Sequence, residues 1–83
     1  MTYIPPPKDL PAFPEARRVK PKTPIPGGGL RKRWEDKNYI YEWDSLHGRV
    51  EKYDKRGNHL GEFDPITGEQ TKPADPSRPR IDP

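Results

Sequence analysis

The strongest candidate for chemistry in this sequence is a short segment that carries carboxylates and one histidine around a turn. Glu42 and Asp44 precede the turn, His47 lies within it, and Arg49 and Glu51 follow. If the segment forms a hairpin with simple pairing, Asp44 faces Arg49. Glu42 then faces Glu51, with His47 at the rim of the same face. Like charges placed opposite each other destabilise a sheet, so this pattern indicates a functional site rather than a purely structural strand pair.

These residue types suit acid–base cleavage of RNA. Clustered carboxylates raise one another's pKa, which favours a general base near neutral pH, and an imidazole is a suitable general acid. Arg49, with Arg78 or Arg80 from the tail, could stabilise a pentavalent phosphate. Because RNA supplies its own 2′-hydroxyl nucleophile, no Ser, Cys or metal ion is needed. The alternative from spacing alone is a solvated loop histidine among surface carboxylates.

Other kinds of site have weaker signals. One His with scattered Asp is poor zinc geometry, and no calcium-loop spacing occurs, so we expect no metal and no cofactor. His59, which follows a glycine turn, is interpreted as structural. Gly27-Gly28-Gly29 lacks the Lys-Ser/Thr of a phosphate loop and is interpreted as a flexible joint.

Composition limits what can position these residues. The chain has 83 residues, of which 28% are hydrophobic, and no Cys. It therefore predicts at most one small domain without a large enclosed cavity. No apolar run is long enough for a membrane span, and no signal peptide is recognisable. Prolines concentrate before residue 31 and after residue 70, which predicts a Pro-rich arm over 1–30 and a folded core with a Pro-rich basic tail over 31–83. A short helix is expected between Pro14 and Val19.

The charges divide in the same way. Residues 1–33 carry eight basic and two acidic side chains, whereas residues 34–70 carry five basic and nine acidic ones. The border holds Arg31, Lys32 and Arg33. A basic arm favours a polyanion such as RNA, since Lys and Arg displace the counterions of phosphates. A solubilising linker is the alternative.

The middle of the chain has the two-residue period of β-strands. Three aromatic–Asp pairs recur ten residues apart, and each is followed by a glycine, which predicts strands separated by tight turns. The expected strands are 31–34, 38–44, 49–54, 58–63 and 69–72. The predicted fold is mainly β: a highly twisted antiparallel meander with an extended Pro-rich N-terminal arm carrying the short helix. One face should bury Tyr39, Tyr41, Trp43 and Val50, joined by Leu60.

Several of these motifs resemble one family. Gly27-Gly28-Gly29 followed by Arg31-Lys32-Arg33-Trp34, and then Ile40-Tyr41-Glu42-Trp43-Asp44-Ser45-Leu46-His47-Gly48, are similar to the cytotoxic ribonuclease domain of cloacin and the ribosome-inactivating colicin bacteriocins. His59-Leu60-Gly61, Phe63-Asp64-Pro65 and Asp75-Pro76 with Arg78 extend the resemblance, which covers roughly residues 21–80.

The resemblance implies a bacteriocin nuclease that cuts 16S ribosomal RNA in the decoding region and stops translation. Its implied partners are the ribosome and a small acidic immunity protein, with the chain monomeric or in a heterodimer with that inhibitor. It also implies secretion from a producer as part of a larger toxin and action in the cytoplasm of the target bacterium.

The resemblance further implies roles for individual residues. Asp44, His47 and Glu51 match the family's catalytic residues, with Glu51 as general base, His47 as acid and Asp44 orienting His47. Arg78 matches the arginine that stabilises the transition state, and Arg80 is the fallback. Arg31, Lys32, Arg33, Arg49 and Arg80 are expected to bind RNA. The family's basic C-terminal end is replaced here by Ile81-Asp82-Pro83.

A non-catalytic alternative stays open from the sequence. The aromatic–Asp spacing also resembles the YD repeats of large shell-forming toxins, in which the repeats are structural strands. Such repeats need many stacked copies, whereas this chain offers about three. An RNA-binding module of a larger toxin is the other non-catalytic reading.

Overall fold

The computed structural model describes residues 3–83 and forms a six-stranded antiparallel sheet. Its strands are β1 Arg17–Val19, β2 Arg33–Glu35, β3 Tyr39–Asp44, β4 Arg49–Asp54, β5 His59–Phe63 and β6 Gln70–Lys72. They pair in chain order, each with the next, as in a meander. The predicted mainly β antiparallel fold is confirmed, and each of the five predicted strands lies within two residues of an observed one.

The hairpin of β3 and β4 has the predicted register. Asp44 pairs with Arg49 and Glu42 pairs with Glu51. The turn closes because Asp44 Oδ1 accepts the amide protons of Leu46 at 2.9 Å and His47 at 3.3 Å. Gly48 then adopts a φ of 66°, a left-handed conformation that glycine tolerates best. The local sequence therefore fixes where His47 stands relative to the strands.

The two faces of the central strands differ sharply. One face is apolar, with Trp34, Tyr41, Trp43 and Val50 in the buried cluster and Tyr39 packed against it. The contribution from β5 is Phe63 rather than the expected Leu60, since Phe63 pairs with Val50 across the strands. The opposite face, called the polar face below, carries the charged side chains of Glu42, Asp44, Arg49 and Glu51. Lys52 of β4 is the exception, since its ammonium lies over the aromatic rings of the apolar face, 3.9 Å from the centroid of Tyr39. Burial of the aromatic face holds the polar face in place.

The N-terminal arm packs on the sheet. The predicted short helix between Pro14 and Val19 is wrong: Arg17–Val19 forms β1, which pairs with β2, and residues 3–83 contain no helix. A helix confined between Pro14 and Pro21 would be too short to offset its nucleation cost, whereas pairing with β2 gives the backbone of residues 17–19 hydrogen-bond partners. Leu10 and Ala16 join the buried cluster.

Both tryptophans fasten the arm. The Trp34 indole donates a hydrogen bond to the Lys8 carbonyl at 3.2 Å, and the Trp43 indole donates to the Ile4 carbonyl at 2.8 Å. The indole rings meet edge to face, with centroids 6.5 Å apart. Residues of the arm and residues of the central strands therefore pack in one apolar cluster. The division of the chain into an arm over 1–30 and a core over 31–83 stays a prediction.

Two glycine turns shape the segments outside the central strands. The segment Gly27-Gly28-Gly29 lies in a tight turn between Pro24 and Leu30, which pair as an isolated antiparallel β-bridge. All three glycines have positive φ. The tail returns to the β4–β5 turn, where the Ile81 amide donates to the Gly57 carbonyl at 3.0 Å. Among the described residues, no helix could cross a membrane.

Candidate active site

A row of charged side chains crosses the polar face of the sheet. Cross-strand pairing places Arg33 beside Glu42, Glu42 beside Glu51 and Glu51 beside Glu62. Glu42, Glu51 and Glu62 are 0%, 5% and 3% exposed. Three adjacent buried glutamates are costly because like charges repel and burial removes water, so each needs a compensating partner.

Glu42 is paired through one of its two oxygens, while its Oε1 and the Nη1 of Arg33 are buried without a hydrogen-bond partner. Its Oε2 receives hydrogen bonds from Arg33 Nη2 at 2.9 Å and from the Thr23 hydroxyl, and the Arg33 side chain is itself 0% exposed. Arg33 was predicted to bind RNA. Its guanidinium is instead committed to Glu42 beneath the arm, so it presents no surface to a phosphate.

Glu51 has one buried partner, His59, and one partner that faces the solvent, Arg78. His59 Nδ1 accepts the Asp75 amide proton at 3.0 Å, which leaves the proton on Nε2 to be donated to Glu51 Oε1 at 2.7 Å. Arg78 Nη1 lies 3.6 Å from the same oxygen and donates to the Tyr53 hydroxyl at 3.2 Å. The Arg78 side chain is 42% exposed. Glu51 is therefore held firmly beside a cation that a substrate can reach.

The charge states of two of these groups follow from their surroundings. Partial burial works against the charged form of Arg78, but Glu51 and Tyr53 hold its pKa above the usual value. Burial raises the pKa of Tyr53, so its hydroxyl stays protonated at neutral pH. A fixed positive charge next to Glu51 suits the stabilisation of a phosphate.

His47 lies on the rim of the same face. Its Nδ1 is 2.7 Å from Asp44 Oδ2 and 3.8 Å from Glu62 Oε1, and its side chain is 54% exposed. Partial burial raises the pKa of Asp44, but hydrogen bonds from the His47 ring and from the Leu46 amide outweigh this and lower it. An ionised Asp44 holds the proton on Nδ1, which turns Nε2 away from the carboxylate.

The predicted catalytic residues thus form two neighbouring groups. Asp44 and His47 make one, and Glu51 and Arg78 make the other. They are linked through Glu62, which pairs with Glu51 across the strands and approaches His47. Of the two tail arginines, Arg78 contacts Glu51.

Two of the other four predicted RNA-binding residues border a groove beside Arg78. Arg31 from the arm and Arg80 from the tail line this groove of about 620 Å³, together with Tyr53. Lys32 is exposed. Arg49 donates to the His47 carbonyl at 2.9 Å and lies 4.0 Å from Asp64, on the other side of the site.

Sequence reasoning missed three residues of this site. Glu62 was not singled out, although its position in β5 follows from the two-residue period. His59 was interpreted as structural, and the structure places it on Glu51. Tyr53 was not singled out for the site, yet its hydroxyl accepts a hydrogen bond from Arg78. The signal for Glu62 was its place directly before Phe63, since alternation assigns neighbours to opposite faces.

Fold and site together define a small all-β domain whose candidate acid–base residues lie on one polar sheet face. The family model described as Cytotoxic matches residues 4–81, and the chain belongs to this family. Cloacin of Escherichia coli is 51% identical over 82 residues, which cover 92% of this chain. Colicin-E6 of Escherichia coli is 49% identical over 82 residues, and Colicin E3 of the same organism is 60% identical over 62 residues covering 70% of the chain.

The similar region is a small part of those relatives. The match covers 15% of the cloacin and Colicin-E6 chains and 11% of the Colicin E3 chain. The family resemblance that the hairpin and tail motifs indicated is confirmed. The chain corresponds to the cytotoxic portion of colicin-type toxins.

Proposed function

We propose that this chain is a bacteriocin-type endoribonuclease that cleaves 16S ribosomal RNA in the decoding A site. The observation that carries the proposal is the placement of Glu51 with Arg78 beside Asp44 with His47 on one sheet face. Membership of the Cytotoxic family supports a toxin nuclease. The resemblance of the hairpin to ribosome-inactivating colicins supports the ribosomal target.

In the proposed reaction the substrate supplies the nucleophile. Glu51 takes the proton of a 2′-hydroxyl, whose oxygen attacks the adjacent phosphorus. The bond to the 5′-oxygen breaks, and His47 Nε2 protonates that oxygen, which yields a 2′,3′-cyclic phosphate and a 5′-hydroxyl. Atoms and charge balance without a metal ion or cofactor.

The other residues prepare this reaction. Asp44 holds Nδ1 of His47, so that Nε2 faces the leaving group. His59 fixes the orientation of Glu51, and Arg78 neutralises the charge that grows on the phosphate. Arg31, Lys32, Arg49 and Arg80 are proposed to hold the flanking RNA backbone. A shallow site is sufficient, because no group other than the RNA needs to be bound.

The test is a cleavage assay on intact bacterial ribosomes. Wild-type protein should release one discrete 3′ fragment of the small-subunit RNA, and Glu51→Gln should lower the rate by about 10²- to 10⁴-fold. His47→Ala should also abolish cleavage while the sheet stays folded. Glu69→Gln, which changes an exposed glutamate, is the matched control and should cleave normally. Intact RNA after treatment with folded wild-type protein would refute the proposal.

The proposal includes a small acidic immunity protein as partner, with the toxin delivered from a producer cell to the cytoplasm of its target. Support comes from family likeness and from the exposed basic surface at Lys32 and Arg80. Charge complementarity of this kind makes association salt-dependent. If the affinity for a candidate inhibitor changed neither with salt concentration nor on charge reversal at Lys32, this account would be contradicted.

No observation favours the YD-repeat alternative. The family match over residues 4–81 includes all three aromatic–Asp pairs, and they lie in one meander rather than in stacked repeats.

A further inference from the structure

The fold gathers three potential metal ligands at the rim of the polar face. Asp44, His47 and Glu62 each offer one ligand atom, and these atoms all lie within 4.8 Å of one another. Asp44 and His47 come from the β3–β4 hairpin, whereas Glu62 comes from β5. The spacing in the sequence does not show this cluster, because Glu62 is brought in only by pairing between β4 and β5.

Glu62 also carries an unsatisfied oxygen. Its Oε2 accepts the Thr71 hydroxyl at 2.7 Å, but its Oε1 is buried and has no hydrogen-bond partner. The Glu62 side chain is only 5% exposed, and Oε1 points to His47 Nδ1 at 3.8 Å. A buried carboxylate oxygen without a donor is costly, so a cation at this position would relieve a real deficit.

We propose that Asp44, His47 and Glu62 form a binding site for a divalent transition-metal ion such as Zn²⁺. Tetrahedral zinc with bonds of about 2.0–2.2 Å separates its ligand atoms by about 3.4 Å. The Nδ1–Oδ2 distance of 2.7 Å and the Nδ1–Oε1 distance of 3.8 Å lie on either side of that value. Small side-chain shifts would therefore seat the ion, and the exposed ring of His47 leaves a path from solvent.

The ligand types select the class of metal. An imidazole nitrogen with two carboxylates suits zinc and its neighbours in the first transition series, whereas Mg²⁺ prefers oxygen ligands and keeps its waters. His59 offers no competing site, because its Nε2 donates to Glu51 and its Nδ1 accepts from Asp75. Binding should therefore depend on His47 and on both carboxylates beside it.

The proposed function gives such an ion a regulatory effect, and this part of the inference rests on that function. A general acid at His47 needs protons on both ring nitrogens. A cation on Nδ1 occupies the position of one of them and takes Asp44 away from the ring. Bound zinc should thus suppress RNA cleavage reversibly, with the protein still folded.

Binding is tested first by calorimetric titration of the full chain with ZnCl₂, and by the visible absorption of Co²⁺. We expect one equivalent per chain, with the affinity at least about tenfold lower in Glu62→Gln, since a lost ligand costs at least as much as a lost supporting group. Glu69→Gln is the matched control and should bind like wild type. Absence of binding, or equal affinity in Glu62→Gln and wild type, would overturn the proposal.

Cleavage is measured separately. Zn²⁺ should slow the wild-type enzyme, EDTA should restore it, and Glu62→Gln should need about tenfold more Zn²⁺ for the same fractional loss of its own metal-free rate. Stimulation by zinc would contradict the inhibitory effect. If wild-type protein binds zinc but never cleaves ribosomes, the proposed function fails while the metal site stands.

Discussion

Glu42 and Glu51 are neighbours across the same pair of strands, yet their surroundings are opposite. Glu42 is paired through its Oε2 with Arg33, whose side chain is completely buried. Glu51 meets His59 and the solvent-facing Arg78. The two residues have the same type, strand face and burial. What separates a structural carboxylate from a catalytic candidate is the accessibility of the countercharge, not the burial of the acid.

The largest effect on stability should come from removing the negative charge of Glu42, the buried partner of Arg33. Glu42→Gln leaves the Arg33 guanidinium buried without an ionic partner, which should lower the free energy of unfolding by about 3–5 kcal/mol. Denaturant titration measures this loss. Cleavage per folded molecule should change little, because Arg78 and His47 are untouched.

Glu51→Gln should reverse that pattern, with a small change in stability and a large loss of cleavage. Arg78 keeps its contact with Tyr53 and its access to water in this variant. If Glu42→Gln lowered cleavage per folded molecule more than Glu51→Gln did, the contrast between a structural Glu42 and a catalytic Glu51 would be wrong.

A smaller effect is expected from moving the tail that carries Arg78. A Cβ at Gly57 would lie 2.3 Å from the Ile81 carbonyl oxygen, so Gly57→Ala must displace the tail. A displacement of about 1 Å at a positioned group can cost up to about 10²-fold in rate. We expect kcat for ribosome cleavage to fall by about tenfold or more.

Gly27→Ala is the control for backbone strain in that experiment. Gly27 has a φ of +93°, close to the +89° of Gly57, but a Cβ there meets nothing within 4 Å. Equal losses of kcat in the two variants would show that strain, rather than the position of Arg78, is responsible.

The smallest effect concerns Asp44, at the exposed edge of the polar face, and the free energy of unfolding as the pH falls. Hydrogen bonds lower the pKa of Asp44 in the folded state despite partial burial, so its stabilisation is present above the unfolded value of about 3.9 and is lost as pH falls through the folded value. Asp44→Asn should lower the free energy of unfolding at pH 6 by less than about 1 kcal/mol. The difference from wild type should shrink towards pH 3 in urea titrations. A constant difference would contradict this linkage.

The sequence was sufficient for the features that local rules determine. The period of two from Tyr39 to Asp44, with an Asp–Gly turn, predicted the hairpin register and the pairing of Glu42 with Glu51. Contacts between distant segments could not be read in this way. The position of Glu62 beside His47 depends on β5 pairing and the bulge after Lys52, and β1 forms only because β2 offers an edge.

Burial was equally hard to predict for charged residues. Arg33 looked like part of a basic surface run, Arg31-Lys32-Arg33, but alternation along β2 turns it towards Glu42. Its neighbour Lys32 stays exposed. A run of like charges at the start of a strand is thus divided between interior and surface, and only the partner strand decides which residue is enclosed.

The two indole hydrogen bonds to the arm have a practical consequence. Trp34 and Trp43 are the only tryptophans of the chain, and both donate to carbonyl oxygens of residues 4–8. Detachment of the N-terminal segment would expose both indole rings to solvent at the same time, and it would leave the pairing of the central strands in place. Intrinsic fluorescence should therefore act as a label-free reporter of arm docking, separable from circular dichroism of the sheet.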